Sequence, residues 1–269
     1  MPQVQITLTP AESKRLIARG VSRLPEVRRA LEEGTIVICV GTTNGYVAEE
    51  IGLKIDRRRF AAGVVLPKGT CALRREKRLR EIVVRRGRRT GLTLDDVSGK
   101  LRSRDVVIKG ANALDSDWNA GVMVGSEDWG TVGKLKKVVG RGKAKLIIPV
   151  GLEKFIPDSL ASVMNATRME ECRYATGLPV RIAMMGGKVI TEIEAIKILT
   201  GADAWAIGRG GVSGAEGSVT LAASGTEKQL RALKMLISGL KGEKPVRISA
   251  GCGECKYSSC FRKKRSDFQ

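Results

Sequence analysis

The sequence predicts an α/β protein built on a mostly parallel sheet. Three observations carry this. Apolar, β-branched runs of strand length occupy residues 35–40, 105–108 and 145–150. Glycine-bearing turns follow them, at Gly41-Thr42-Thr43-Asn44-Gly45 and Lys109-Gly110-Ala111-Asn112. Helical patterns fill the intervals, and strands alternating with helices imply parallel pairing.

Taken in order, Thr9-Pro10-Ala11-Glu12 has the spacing of a capped helix start, with Pro at the first helical position and a carboxylate two residues on. An amphipathic helix follows to about residue 20. A second spans about 24–33 and stops at Gly34. The run 35–40 is a buried strand, and the segment 46–52 after its turn is helical. Residues 60–66 and 81–84 read as strands around a short basic helix at 74–80. Residues 121–133, punctuated by four glycines, read as a mobile loop over a pocket. Beyond Gly177-Leu178-Pro179, strands at 180–184, 203–207 and 218–222, helices at 191–199 and 226–240, and a last strand at 246–248 give a β-α-β-β-α order, a split β-α-β (ferredoxin-like) lobe. The expected organisation is a ligand-binding domain over 1–175, a smaller α+β lobe over 176–249 and a Cys-rich basic tail over 250–269.

Composition narrows the chemistry. The chain has 269 residues, 42% of them hydrophobic, enough for a core without metal or disulfide staples. There is no histidine, which removes imidazole bases, His metal ligands and Ser–His or Cys–His nucleophilic pairs. No apolar run approaches the ~18 residues of a membrane helix, and the N-terminus lacks a secretory signal pattern. A cytoplasmic protein without membrane attachment is expected. The net charge is +20, and residues 57–104 alone carry 16 Lys/Arg against 4 Asp/Glu. Such a surface favours anions, whether phosphorylated metabolites, nucleic acid or acidic proteins. Aromatics to stack on bases are scarce there, so nucleic acid is the less favoured partner.

The turn at 41–45 leaves the carboxyl end of a strand, where ligands bind in open α/β sheets. Gly41, Thr42, Thr43 and Asn44 would hold an anion through backbone N–H groups at the following helix's positive end. Lys109, Gly110, Asn112 and Asp115 at the next strand's end would face the ligand's polar body, and Lys134 would add an anion contact. Proton transfer, if the protein is an enzyme, would fall to Asp115 and Lys109, since no His is present. The spacing C-x2-C-x4-C of Cys252, Cys255 and Cys260 suits a zinc ion or an iron–sulfur cluster, with Cys71, Cys172 or a second chain completing the set. Cys39, in an apolar strand, reads as an inert core thiol.

These turns, in this order, resemble the sugar isomerase/CoA-transferase-like superfamily. Residues 36–43 are similar to the strand and phosphate loop of ribose-5-phosphate isomerases and of sugar-phosphate-responsive repressors. Residues 105–115 are similar to the strand and acidic loop that follow. Residues 145–154 are similar to the next strand and its lysine segment. The resemblance covers roughly 10–155 and implies a Rossmann-like fold, a phosphorylated ligand and a homo-oligomer, most simply a dimer. Two of the isomerases' catalytic aspartate positions fall on Lys109 and Asn112 here, and only Asp115 matches. The leading expectation is therefore a protein that binds a phosphorylated or otherwise anionic small molecule, isomerase-like without the standard catalytic set. The alternatives are a nucleic-acid-binding module using 57–104 and a metal or iron–sulfur protein using the C-terminal cysteines.

Overall fold

The computed structural model describes residues 1–139, 144–248 and Cys260. The chain opens with strand β1 (Gln3–Leu8), in which Val4, Ile6 and Leu8 alternate with Gln3, Gln5 and Thr7. Helix α1 (Pro10–Arg23) starts in the expected capping box: the Thr9 hydroxyl accepts from the Glu12 amide, and the Glu12 carboxylate accepts from the Thr9 amide. Helix α2 (Pro25–Glu33) follows, then strand β2 (Thr35–Ile38), all four residues buried, and helix α3 (Thr42–Glu50). A hairpin of β3 (Gly63–Leu66) and β4 (Gly69–Ala72) precedes a second hairpin of β5 (Ile82–Arg85) and β6 (Arg88–Arg89). Helix α4 (Leu94–Val97) leads to β7 (Asp105–Ile108), β8 (Ala113–Leu114), β9 (Ala120–Val124), α5 (Gly130–Val139) and β10 (Ala144–Pro149). Helix α6 (Leu160–Ala166), β11 (Arg181–Met185), β12 (Lys188–Ile190), α7 (Glu192–Thr200), β13 (Asp203–Arg209), β14 (Val219–Ser224) and α8 (Glu227–Ser238) complete it.

The central sheet has six strands in the order β12-β10-β7-β2-β5-β6. The first four are mutually parallel, and β5 and β6 add an antiparallel edge, so the sheet is mixed. Alternation along each strand sends side chains to two covered faces. Ile36, Ile38, Val106, Ile108 and Ile147 pack against α1, α2 and α3 through Ile17, Val21, Val27 and Val47. Val37, Val107, Leu146 and Ile148 pack on the other side against α5 and the strands β9 and β11, through Val132, Leu135, Val122 and Ala183. Burial on both faces explains why these strands are continuous apolar runs rather than alternating ones.

Several expectations change. The stretch 121–133 is largely regular: β9 pairs with both β8 and β11, and α5 begins at Gly130. Gly121 lies inside β9 because Leu160 crosses it closely; a Cβ there would lie 2.8 Å from Leu160 Cδ2. The basic helix expected at 74–80 is only a 3-10 turn, Arg75–Lys77, and 246–248 is not a strand. The strands expected to form one β-α-β-β-α lobe are divided between two sheets, and β12, which was not expected as a strand, belongs to a third. β11 joins β9, β12 joins the central sheet, and β13 and β14 form a three-stranded sheet with the N-terminal β1. The pairings of β11 with β9, β12 with β10 and β14 with β1 cross the boundary expected at residue 175. Among the described residues no helix is long and apolar enough to cross a membrane.

Candidate functional site

Because β2, β7, β10 and β12 are parallel, the segments leaving their carboxyl ends emerge at one edge of the sheet. Those segments are 39–44, 109–112, 150–155 and the start of α7. Chemistry-bearing side chains are concentrated there.

In the first segment, Gly41 is the N-cap of α3 and no side chain caps its first turn, so the leading N–H groups lack a side-chain acceptor. Thr42 is partly exposed, whereas Thr43 and Asn44 are buried. Asn44 Nδ2 donates to the Cys39 carbonyl at 2.7 Å and to the Ile108 carbonyl at 3.4 Å, tying the ends of β2 and β7 together. Two carbonyls on that side fix which end of the amide is the nitrogen. Asn44 Oδ1 is thereby directed toward the Gly110 backbone, 3.4 Å from the position a Cβ on Gly110 would take, and it has no partner among the described residues.

The second segment supplies Lys109, partly buried, whose Nζ donates to the Gly110 carbonyl at 3.2 Å. Burial pushes its ammonium below the ordinary lysine range, and the neighbouring Cys39 opposes this. Cys39 is fully buried, with a thiol pushed up to about 12 by burial, which accords with an inert thiol. Asn112 Oδ1 accepts from the Met123 amide at 3.1 Å, joining this segment to β9.

The third segment supplies Lys154, which sequence reasoning placed only within a lysine segment and gave no role. Its Nζ donates to the Ala111 carbonyl at 2.8 Å, which lays it over the second segment. Burial pushes it down to about 8, and the charges of Lys14 and Lys109 add to the effect while Glu153 and Glu192 oppose it. Among the described residues, no carboxylate oxygen lies within ion-pair distance of Lys109 or Lys154. Glu153 is engaged instead by Lys14 at 2.7 Å. Arg209 covers the segment from outside, its guanidinium over the Phe155 ring at 4.3 Å and donating to the Leu152 carbonyl.

The fourth element begins at Glu192, fully buried, whose Oε2 accepts from the Leu152 amide at 2.9 Å. Burial holds its carboxyl above the usual carboxylate range. Its sequence signal was hidden, because a Glu in the first turn of a helix is an ordinary helix-start feature.

The remaining sequence-predicted residues lie differently. Asp115 is buried, and its carboxylate accepts from the amides of Asp117, Asn119 and Leu160 and from the Asn119 side chain. It organises the 115–119 turn and the start of α6. Lys134 lies on α5 and pairs with Asp95 on α4. Cys252 and Cys255 lie outside the described residues, while Cys260 is buried. Among the described residues no group of three potential ligands could hold a metal ion.

The assembled edge thus brings together the Lys109 and Lys154 ammoniums and the uncapped amides of α3, over the buried side chains of Asn44 and Glu192. The chain matches no protein-family model, no curated protein and no solved structure.

Proposed function

We propose that this protein binds a small anion that also carries hydroxyl groups, of the sugar-phosphate class, at the carboxyl edge of β2, β7 and β10. One observation carries the reading. Lys109 and Lys154 reach this edge from different strands, partly buried, and each donates only to a backbone carbonyl. Partly desolvated ammoniums without carboxylate partners are costly, and an anion removes that cost. The uncapped start of α3 adds donors of the same polarity. Asn44, fully buried, ties the ends of β2 and β7 together beneath this edge, and the resemblance to sugar isomerases is what favours a sugar phosphate over inorganic anions. The sheet reads as Rossmann-like on this view, consistent with the resemblance to sugar isomerases and CoA transferases. If turnover occurs, Lys154 is the base, since burial pushes it down to about 8. Asp115 is a structural residue in this scheme.

Isothermal titration calorimetry with ribose 5-phosphate and with inorganic phosphate, at pH 7, tests the site. The sugar phosphate is expected to bind, and Lys109→Met and Lys154→Met each to lose about ten- to a hundredfold in affinity, the worth of one charge-assisted contact. Binding left unchanged in both variants would remove the site, and so would absence of binding by the unsubstituted protein.

A further inference from the structure

Two groups of arginines in the basic region differ in their partners. Arg57 is bound to Glu49 and Glu243, each at 3.1 Å, and packs over the Tyr46 ring; Arg58 is held by Asp56 at 2.9 Å. A second group, Arg85, Arg86, Arg88, Arg89, Arg102 and Arg104, is exposed, and none of its side chains has a carboxylate partner among the described residues.

The fold gathers this second group at the amino edge of the parallel strands, opposite the lysine site. Thr35, which opens β2, pairs with Arg85, which ends β5. The β5–β6 hairpin turns through Arg86 and Gly87, both left-handed with φ +45° and +73°, a two-residue turn of the primed kind. That turn is fixed to α2, since the Arg86 amide donates to the Gly34 carbonyl at 3.0 Å. Asp105, which opens β7, then pulls in the neighbouring loop: its carboxylate accepts from the Thr35 amide at 2.7 Å and from the Arg102 amide at 2.6 Å. Two separate segments thus present six guanidiniums along one edge, with Arg85 directly across from Arg88. Like charges directly opposite destabilise a hairpin. Glu32 and Glu33, exposed at the end of α2, are too few to neutralise the group.

We propose that this amino edge is a binding surface for the phosphate backbone of duplex nucleic acid. Guanidinium forks match phosphate oxygens, and all six cations here are arginine rather than lysine. No aromatic side chain lies in either segment, so single-stranded bases have no stacking platform. No large exposed apolar side chain lies there to enter a bilayer. The recognition is therefore of backbone rather than of sequence.

Fluorescence anisotropy with labelled 20-base-pair RNA and DNA duplexes, titrated between 50 and 300 mM KCl, tests this on the full chain. Log affinity should fall linearly with log salt, with a slope of about −4.5 to −5.5 for five or six phosphate contacts. The double variants Arg88→Glu/Arg89→Glu and Arg102→Glu/Arg104→Glu should each lose more than tenfold in affinity and flatten the slope by about 2. The charge-matched Lys228→Glu/Arg231→Glu pair on α8 should leave binding within threefold. Comparing the two duplexes tells which polymer is preferred, and binding of either one supports the surface. Three results would overturn it: no duplex binding at 50 mM KCl, an equal loss in the α8 variant, or binding only to phosphatidylserine vesicles run in parallel. None of these depends on ligand binding at the lysine edge.

Discussion

Lys154→Met tests directly whether the carboxyl edge is built for binding at the expense of stability. In the folded protein the ammonium loses its proton near 8 rather than at the ordinary 10.5. At about 1.4 kcal/mol per pH unit, holding the charged form inside the fold costs about 3 kcal/mol. Methionine has similar length and no charge, so it removes that cost. It also removes one hydrogen bond to the Ala111 carbonyl, worth about 1 kcal/mol. The net expectation is a gain of about 2 kcal/mol at pH 7. The pH dependence has a definite sign. Below pH 8 both folded and unfolded chains hold the proton, and the cost is at its maximum. Between 8 and 10.5 the unfolded chain holds a proton the folded one has released, so the unsubstituted protein gains stability as pH rises. The advantage of the variant should therefore close across that window, leaving it slightly less stable above it. Urea unfolding at pH 7, 9 and 10.5, followed by tryptophan fluorescence and circular dichroism, measures this. A variant less stable at pH 7, or a difference that does not change with pH, would refute the account of Lys154 as a costly, partly desolvated cation.

Three further outcomes follow from the packing. Asp115→Ala leaves four donors without their acceptor, including the Leu160 amide inside the core, and should cost about 3–5 kcal/mol in urea unfolding. Burial raises the Asp115 carboxyl, but the donors from Leu160, Asn119 and Asp117 outweigh it and hold it below the usual carboxylate range. The stability it supplies is therefore present above the ordinary carboxylate pKa and lost as pH falls through the lower folded value, so Asp115→Asn should unfold with a shallower acid dependence. Gly69→Ala should be more damaging than any exposed substitution. Gly69 has φ +111°, and a Cβ there would fall 1.2 Å from the Thr176 carbonyl oxygen, where the β3–β4 hairpin meets Gly177. Protease sensitivity between residues 60 and 75 should rise sharply, and an unchanged digestion pattern would contradict the close approach.

The strands and helices that local chemistry specifies were readable in advance. The run 105–108 is β7 with the same limits, and Thr9 with Glu12 forms the capping box its spacing implied. The turn glycines located the carboxyl edge, because a chain must turn where a buried parallel strand ends. Other elements were obscured for identifiable reasons. β9 carries a glycine that only its crossing by Leu160 explains. β1 had an alternating pattern, but its worth depends on β14, more than two hundred residues away.

Of the candidate site, Gly41 to Asn44, Lys109 and Gly110 were visible as loop residues, yet their roles were not. Asn44 was expected to offer its backbone N–H to an anion, and its side chain bridges two strand ends. Asp115 looked catalytic and is held by four donors. Lys154 and Glu192 became noticeable only once parallel pairing had carried them to the same edge as Lys109. Hydrogen-bonding capacity, helix capping and apolar period are local properties and can be read along a chain. Desolvation, and the proximity of two like charges, are properties of the space between segments and arise only when those segments are packed together.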